Sequence, residues 1–487
     1  MVYNLDVDGL QSRVTLDEEK VTIESFGNTH KSYPIDDVIG CEEVVTGWFW
    51  RTEVTRVWLI EHGPSNSLLK RSIIVSGDLR KRFQHDLTEK TTTEFAETKR
   101  PKRVLVMINP IGGNGTARKD FGDIVEPVFR LSGISMDTIF SERSGHMIEV
   151  AQTYDFTGID GIVLLGGDGT YHEVVDVLMK RKQEEQGVDI NDPQATLSPL
   201  NIPIAMIPTG KPAFNIPIIM LPTGTGNVVA ENNTGSIDIL TAALHVVQGR
   251  VVPSHLMALY SNRKLLGFSG AGTFYGFITD CVFYSDRNFR WLGRSRYRYV
   301  FWWMTIFKSH SQRAFNAKIT YYTSVTEQRN VENNETEIFV GDRKISGYSS
   351  YTTDTVVFDR KFCSMMLMNG NSFHDGDVIV DIPRMLVNRA AVCSSFMIYG
   401  DTSLRSVMRF LRQFNRRKPV EIVKDELEAV TAQGFTVEMT DDLRDEDPEV
   451  KMLRRIILLD GEMYELKRSS FQLWYKRDVV QVFSSYL

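Results

Sequence analysis

The 487-residue sequence lacks the marks of several large protein classes. No apolar run approaches about 18 residues, so no transmembrane helix is predicted. The acidic N-terminal segment has no apolar core of the signal-peptide kind, so we expect a cytoplasmic protein. The four cysteines stand far apart without CxxC spacing, which is typical of a reducing compartment and gives no cysteine metal centre. A net charge of −6 argues against a general nucleic-acid binder.

Common catalytic signatures are missing too. The chain has no GxSxG elbow and no His-Arg-Asp triplet of the protein-kinase kind. Its first glycine loop, 111–117, is neither a Walker A loop nor a GxGxxG turn. The hydrophobic and charged shares, 42% and 24%, are those of an ordinary globular protein, and the length predicts two or three domains.

The clearest pattern present is a strand, a glycine turn and a helix start. Residues 161–166 form a continuous apolar run bounded by glycines, which predicts a parallel strand buried on both faces. A turn with one acid, Asp168, follows, and helical spacing begins directly after it. Because open α/β sheets bind ligands at the carboxyl ends of their strands, Asp168 is predicted as a site residue. The alternative is a solvated Asp in an ordinary turn.

Four sections follow from the changes in pattern along the chain. They are a β-rich module (1–88), a polar linker (89–103), an α/β domain (104–248) and a β-rich second half (249–487). Short strands closed by one helix in the first module are similar to the pleckstrin-homology plan, with a plain β accessory module as the alternative. Recurring strand, glycine loop and helix predict a parallel sheet in the second, and many short strands predict a β-sandwich in the last.

One segment is duplicated. Residues 201–210 recur 14 positions later as 215–224, with eight of ten positions identical. Only the second copy runs on into Thr225-Gly226-Asn227. Since one position in a sheet takes one strand, one copy is expected to be redundant or displaced. We assign the function to the second copy.

Three glycine loops and one acid at the ends of strands are suited to phosphoryl transfer. Backbone amides can cradle polyphosphate, while Mg²⁺ supplies much of the positive charge. The reaction then needs positioning and charge neutralisation, with Asp168 as the general base for a hydroxyl acceptor. His172, four residues on, is expected to pack or bond locally in the helix rather than act as a base.

These segments resemble the motifs of the diacylglycerol kinase catalytic-domain superfamily, which includes diacylglycerol, ceramide and sphingosine kinases. They are Asn109-Pro110 with its glycine loop, Gly166-Gly167-Asp168-Gly169 and Pro222 to Asn227. Residues 276–280 with 289–296 are similar to a motif of sphingosine and ceramide kinases, and 459–462 resembles their last motif. The scattered cysteines do not form the cluster usual in ceramide kinases, which favours a sphingosine kinase (a sphingoid long-chain base kinase).

The resemblance implies an activity and a set of site residues. It implies ATP-dependent phosphorylation of the primary hydroxyl of sphingosine or a related base to sphingosine 1-phosphate, with Asp168 as catalytic base and Asp460 as Mg²⁺ ligand. The residues implied to bind the nucleotide are Asn109, Pro110, Ile111, Ser141, Gly169, Glu173, Gly224, Thr225, Gly226, Arg290, Arg296, Asp460, Gly461 and Glu462. Those implied to contact the lipid are Gly166, Gly167, Asp168, Gly169 and Asp280.

One departure concerns the lipid head group. In sphingosine kinases an acid shortly after the Gly-Phe-Ile triplet binds the amino alcohol, but this segment is one residue longer and the expected position falls at Val282 or Phe283. Asp280 is the nearest acid and takes the role. The alternatives are a ceramide or diacylglycerol kinase, a soluble-substrate kinase of the NAD kinase type, and a catalytically inactive lipid-binding scaffold. The motif that contains Arg290 and Arg296 argues against a kinase of the NAD kinase type.

Two segments bear on membrane contact. The apolar stretch 299–307 predicts buried core, with the lining of a lipid cavity as the alternative. The basic and apolar stretch 405–418 predicts either a helix on an anionic membrane surface or a solvated basic face. We therefore expect peripheral membrane association.

Overall fold

The computed structural model describes most of the chain, and every structural statement below concerns the described residues. These are 1–25, 29–47, 51–64, 66–92, 100–112, 115–209, 227–292, 295–307, 314–324, 326–329, 336–340, 343–344, 351–357, 360–369, 393–403, 405–407, 409, 427–441, 446–468 and 470–485. Among them, no helix is both long and apolar enough to cross a membrane.

Seven antiparallel strands and one helix form the N-terminal part. They are β1 Val2–Val7, β2 Leu10–Leu16, β3 Lys20–Ser25, β4 Thr29–Pro34, β5 Val38–Thr46, β6 Thr52–His62, β7 Leu68–Ser76 and α1 Arg80–Thr92, with a 3₁₀ turn at Ile35–Asp37. The order in the sheet is β4-β3-β2-β1-β7-β6-β5. Inward-facing residues of the strands share one core with Phe83 and Leu87 of α1. The predicted succession of strands closed by a helix is confirmed, while the pleckstrin-homology likeness stays a prediction.

A parallel sheet with helices on both faces comes next, as the glycine-loop pattern predicts. Its strands are β8 Arg103–Ile108, β9 Ser135–Phe140, β10 Gly161–Gly166 and β11 Ile204–Pro208, in the order β9-β8-β10-β11. Its helices are α2 Ala117–Asp120, a π-helical turn Phe121–Val125, α3 Glu126–Leu131, α4 His146–Thr153, α5 Asp168–Glu185, α6 Val228–Thr234 and α7 Ile239–Gln248. Every residue of β10 is buried, with apolar clusters on both sides.

The first copy of the duplicated segment provides β11. Ile204 to Pro208 pair in parallel with β10, and the backbone N–H of Thr209 donates to the Gly166 carbonyl at 3.0 Å. The sheet position beside β10 is therefore filled by the first copy. The second copy, to which we assigned the function, lies outside the described residues, and the chain is described again from Asn227.

The second half is rich in strands. They are β12 Val251–Ser261, β13 Lys264–Ser269, β14 Gly272–Gly276, β15 Ala317–Ser324, β16 Thr326–Arg329, β17 Thr336–Val340, β18 Arg343–Lys344, β19 Tyr351–Val357, β20 Phe362–Asn369, β21 Cys393–Tyr399, β22 Leu427–Ala432, β23 Gly434–Met439, β24 Ile456–Leu459, β25 Glu462–Glu465 and β26 Ser470–Phe483. The helices are α8 Phe277–Asn288, a 3₁₀ turn Arg290–Leu292, α9 Ser295–Phe307 and α10 Pro448–Leu453. A sheet β22-β21-β20-β14-β24-β25 shares an apolar core with β12, β15, β23 and β26. The lipid-binding β-sandwich stays a prediction.

The last strand, β26, joins the two halves of the molecule. It pairs antiparallel with β12 and β23 and, at Val482, parallel with Ile204 of β11. Phe483 at its end enters the core of the parallel sheet, where a Cβ on Gly161 would lie 2.6 Å from its ring. The α/β sheet and the C-terminal strands therefore form one continuous sheet, which holds their relative position.

A half-buried arginine at the start of the parallel sheet ties the N-terminal part to it. The Arg100 guanidinium donates to five backbone carbonyls at 2.5 to 3.5 Å. These belong to Val38, Ile39, Thr91, Ser132 and Val247. The first three carbonyls lie in the N-terminal part and the others in the α/β part. Helix α1 reaches Thr92, within the stretch predicted as a linker, and the predicted domain boundaries stay predictions.

Candidate active site

Several predicted site residues follow the carboxyl ends of neighbouring strands. Asn109 comes after β8, Ser141 after β9 and Asp168 after β10. The backbone N–H of Asn109 donates to the Leu165 carbonyl at 2.9 Å, and that of Ser141 donates to the Ile108 carbonyl at 2.8 Å. Because the ladder continues through the first loop residues, loops far apart in sequence meet at one edge of the sheet, where open α/β sheets bind ligands.

Asp168 is the first residue of α5 and is 1% exposed. Its Oδ1 accepts from the backbone N–H of Val229 at 2.9 Å, and its Oδ2 accepts from that of Val228 at 3.2 Å. These amides begin α6, so the carboxylate joins the starts of two helices. Burial raises the pKa of Asp168 to about 6, and the nearby Asp460 carboxylate adds to the rise, while the amides oppose it. At neutral pH this group is ionised and a stronger base than an ordinary Asp.

Asn109 connects the first glycine loop to α5. Its Nδ2 donates to Thr170 Oγ1 at 3.1 Å, and its Oδ1 accepts from the backbone N–H of Gly112 at 3.0 Å. A Cβ on Gly166 would lie 2.4 Å from the same Thr170 Oγ1. Because α5 starts so close to the strand, a side chain at position 166 would clash with Thr170, and only glycine fits there.

The predicted last motif is the turn of a β-hairpin. Asp460 and Gly461 join β24 to β25 and have φ values of 52° and 96°. Two central residues with positive φ are typical of a type I′ turn, for which Asp-Gly is a preferred pair. The turn sends the Asp460 side chain into the protein, where it is 1% exposed, and leaves Glu462 exposed.

The Asp460 carboxylate is enclosed by the turn between β13 and β14. Its Oδ1 accepts from Ser269 Oγ at 2.6 Å and from the amides of Ala271 and Gly272, both at 2.9 Å. Its Oδ2 accepts from the amide of Gly270 at 2.7 Å. These four donors occupy the carboxylate, so its observed contacts do not fit the predicted role as a Mg²⁺ ligand, which stays untested.

His172 lies between Asp460 and the hairpin and is 3% exposed. Its Nε2 is 2.7 Å from the hydroxyl of Tyr464, and its Nδ1 is 3.6 Å from Asp460 Oδ2. Burial by itself lowers the pKa of His172, but the Asp460 carboxylate outweighs it and the net pKa is raised. The side chain packs and bonds within the protein, as expected, and connects α5 to the last motif.

Glu462 lies over the start of α5. A Cβ on Gly169 would be 3.3 Å from Glu462 Oε1. Burial raises the pKa of Glu173, and the Glu462 carboxylate raises it further. Two acids thus flank the turn that carries Asp168, one half-buried and one exposed. Their contacts with a nucleotide stay predictions.

The remaining predicted residues lie elsewhere or outside the description. Arg296, predicted to contact phosphates, donates from Nε to Asp286 Oδ1 at 3.1 Å. Asp280, predicted to bind the head group, is 4% exposed and lines a small cavity with Arg454. Pro110 and Ile111 belong to the loop after β8, and Gly167 caps α5. Gly224, Thr225, Gly226 and the Arg290 side chain lie outside the described residues.

Sequence reasoning missed three parts of the site. They are the turn 269–272 that encloses Asp460, the α6 amides that hold Asp168, and Thr209, whose buried Oγ1 has no partner in the described structure. The run Ser269-Gly270-Ala271-Gly272 is a signal of close backbone approach. Its partner stands almost two hundred residues later, and no local pattern connects the two.

Part of the chain is similar to known lipid kinases. Residues 103–259 match the family model of the diacylglycerol kinase catalytic domain. A human ceramide kinase is 35% identical over 200 residues, which are 41% of this chain and 34% of the relative. Sphingoid long-chain bases kinase 1 of Arabidopsis thaliana is 29% identical over 197 residues, 40% of this chain and 22% of the relative. Human sphingosine kinase 1 is 28% identical over 207 residues, 41% of this chain and 47% of the relative.

These matches confirm the resemblance that the motifs predict. The family match covers residues 103–259. Within it, the matched relatives carry the names of ceramide kinase and of sphingoid-base kinases. The matched part spans between about a fifth and a half of the length of these relatives.

Proposed function

We propose that the protein transfers the γ-phosphoryl group of ATP to the primary hydroxyl of a sphingolipid, with sphingosine or a related sphingoid base as the substrate. The observation that carries the proposal is Asp168: a buried carboxylate with a raised pKa, fixed by two amides at the carboxyl edge of a parallel sheet. The match of this region to a lipid kinase domain supports it.

The chemical step follows from what Asp168 can accept. The carboxylate offers about four lone-pair sites and has three backbone amide partners, those of Asn227, Val228 and Val229, so acceptor capacity remains for a substrate hydroxyl. The hydroxyl proton passes to Asp168 as the lipid oxygen bonds to the γ-phosphorus. The bond from that phosphorus to its bridging oxygen breaks, and ADP leaves. The proton then returns to solvent, so the base is regenerated.

Mg²⁺ would neutralise charge on the transferring phosphates. A Mg²⁺ ion takes hard oxygen ligands, often one or two carboxylates together with phosphates and waters. Glu462 is exposed beside the start of α5 and fits this need, whereas the Asp460 carboxylate is occupied. The nucleotide phosphates are proposed to lie between the first glycine loop and the start of α5.

Ceramide is the second candidate substrate, and one observation favours it. The human ceramide kinase is 35% identical in the matched region, against 28% and 29% for the sphingoid-base kinases compared above. By contrast, the absence of a clustered cysteine motif favours a free sphingoid base, rather than ceramide, as the substrate. The two lipids share the primary hydroxyl and differ at the neighbouring nitrogen, which is an amine in one and an amide in the other.

Contact with a membrane surface is proposed at α9 and the turn before it. Trp291 is 78% exposed and Tyr299 is 51% exposed, and aromatic side chains are favoured at lipid–water interfaces. Val300 and Phe301 on the other face are buried in the core, as predicted for much of the 299–307 stretch. Most of the basic stretch 405–418 lies outside the described residues.

The test is a comparison of three lipids under one condition. Sphingosine, ceramide and diacylglycerol, the last two with the same acyl chains, are presented in mixed micelles with labelled ATP, and kcat/KM is measured for each. Highest turnover with sphingosine supports the proposal, and highest turnover with ceramide selects the second candidate. Transfer to diacylglycerol alone would contradict both.

A further inference from the structure

We propose that Asp460 is a positioning residue that assembles the active site, and that it is not a metal ligand. The inference rests on the proposed kinase site, because it says how α5 and its Asp168 are held in place. It concerns a different property from lipid specificity, namely the contact between the β24–β25 hairpin and the turn 269–272.

The first argument is acceptor capacity. Asp460 Oδ1 already accepts from three donors at 2.6 to 2.9 Å, and Oδ2 accepts from the Gly270 amide at 2.7 Å and lies 3.6 Å from His172 Nδ1. Three of the donors are backbone amides of consecutive residues, an arrangement that favours anions. A Mg²⁺ ion needs ligands at about 2.0–2.1 Å in near-octahedral geometry, so it would have to displace these amides. The side chain is also 1% exposed, which leaves no room for the waters that Mg²⁺ retains.

The enclosed Asp460 carboxylate holds the β24–β25 hairpin against the turn 269–272, and this turn packs on α5. The turn 269–272 packs directly on α5, because a Cβ on Gly270 would lie 2.6 Å from Cε1 of Tyr171. The backbone N–H of Asp460 also donates to the Gly272 carbonyl at 2.9 Å, so the hairpin and the turn are bonded in both directions. The position of the hairpin against α5 therefore depends on Asp460.

His172 links Asp460 to the first turns of α5. His172 Nδ1 lies 3.6 Å from Asp460 Oδ2, and its Nε2 meets the Tyr464 hydroxyl at 2.7 Å on the outgoing strand of the hairpin. One side chain of α5 thus contacts both the turn of the hairpin and its second strand. If Asp460 no longer binds residues 269–272, the first turns of α5, which carry Asp168 and Glu173, lose the turn against which they pack.

The test compares Asp460→Asn with Ser269→Ala, which removes one donor to Asp460 and leaves every carboxylate in place. The positioning role predicts that both variants lower Tm by several degrees without metal or nucleotide. It also predicts that both reduce kcat by roughly 10–100-fold with little change in KM for ATP, because a small misplacement of the base affects the chemical step. In the double variant the losses in Tm should be less than additive, because both changes affect one contact.

A metal-binding readout separates the two roles. Mn²⁺ binding to the protein with the non-hydrolysable analogue AMP-PNP is followed by electron paramagnetic resonance, with Glu462→Gln as the matched control on the exposed acid. Asp460→Asn should retain Mn²⁺ binding, while Glu462→Gln should keep the wild-type Tm. If Asp460→Asn does not fold, the same measurements on Ser269→Ala test the positioning role of Asp460.

Two results would overturn the inference. One is an Asp460→Asn protein with wild-type Tm and no Mn²⁺ binding. The other is a Ser269→Ala protein that equals the wild type in both Tm and kcat. The Tm and Mn²⁺ measurements do not need a lipid substrate, so they test Asp460 even if the proposed lipid transfer fails.

Discussion

The replacement Asp168→Asn tests the charge state of the proposed base through both stability and catalysis. Burial raises the pKa of Asp168 from 3.8 to about 6. An acid whose pKa is raised in the folded state stabilises the fold fully below its unfolded pKa, and this contribution is lost as the pH rises through about 6. A shift of about 2 pKa units corresponds to about 3 kcal/mol, by which the ionised Asp168 destabilises the protein at pH 7.

Asparagine removes this charge but also removes an acceptor. Its amide nitrogen replaces one oxygen, so the N–H of Val228 or Val229 loses a charge-assisted bond worth about 1.5–3 kcal/mol. The two effects oppose each other at pH 7, and the free energy of unfolding should change by no more than about 1.5 kcal/mol. As the pH falls from 7 to 4.5, the wild type should gain stability relative to the variant.

The assays are denaturant unfolding at several pH values and the pH profile of kcat/KM. Wild-type kcat/KM should fall as the pH drops through about 6, and Asp168→Asn should show no transfer at any pH. Asp155→Asn is the matched control, since this Asp is exposed, its pKa is lowered by bonds from Thr157, and its stability difference should stay constant above pH 5. A pH-independent stability gap for Asp168→Asn would contradict the raised pKa of Asp168, and retained turnover would contradict its role as the base.

Three further predictions concern the framework. Gly166→Ala should reduce activity by at least tenfold, because its Cβ would meet α5 at 2.4 Å, whereas Gly122→Ala has nothing within 4 Å and should keep activity. Arg100→Ala should destabilise the fold by about 3 kcal/mol or more in chemical denaturation by leaving buried carbonyls without donors, while Arg103→Ala on the surface should cost much less. Deleting 210–223 should leave a folded, active enzyme, as judged by Tm and ATP turnover, because β11 comes from the first copy.

The deletion has a matched control within the duplication. Removing 201–214 instead gives a chain of the same length, with Ile in place of Ala205 and Leu in place of Ile207. Ala205 is 5% exposed in the core, so the larger side chain should overpack it and cost roughly 1–3 kcal/mol. Equal stability of the two deletions would contradict the packing argument, and loss of folding in the first would contradict the assignment of β11. If Arg103→Ala lost as much stability as Arg100→Ala, the prediction for Arg100 would be contradicted. If Gly166→Ala kept wild-type activity, the prediction for Gly166 would be contradicted.

The sequence predicts those parts of the fold that depend on local pattern. The buried run 161–166, its glycine turn and the helix after it are visible as one block, and Asp168 follows from their order. The parallel sheet then brings Asn109 and Ser141 to the same edge. These inferences need only periodicity and the rule that parallel strands end together.

The rest depends on contacts between distant residues. Strand β26 reads as one more strand of the second half, and nothing in its composition indicates that Val482 pairs with Ile204. Arg100 stands in a polar stretch typical of a linker, yet its guanidinium donates to carbonyls from two parts of the chain. The family resemblance implies that Asp460 is a Mg²⁺ ligand, and only its partners at 269–272 indicate another role.

The most direct measurement is transfer of labelled phosphate from γ-labelled ATP to vesicles that contain sphingosine and ceramide, with the site of phosphorylation determined by mass spectrometry. The proposed function predicts labelled lipid phosphorylated at the primary hydroxyl with the wild type, and none with Asp168→Asn at equal folded concentration. ATP turnover without labelled lipid, or equal labelling by the variant, would contradict it.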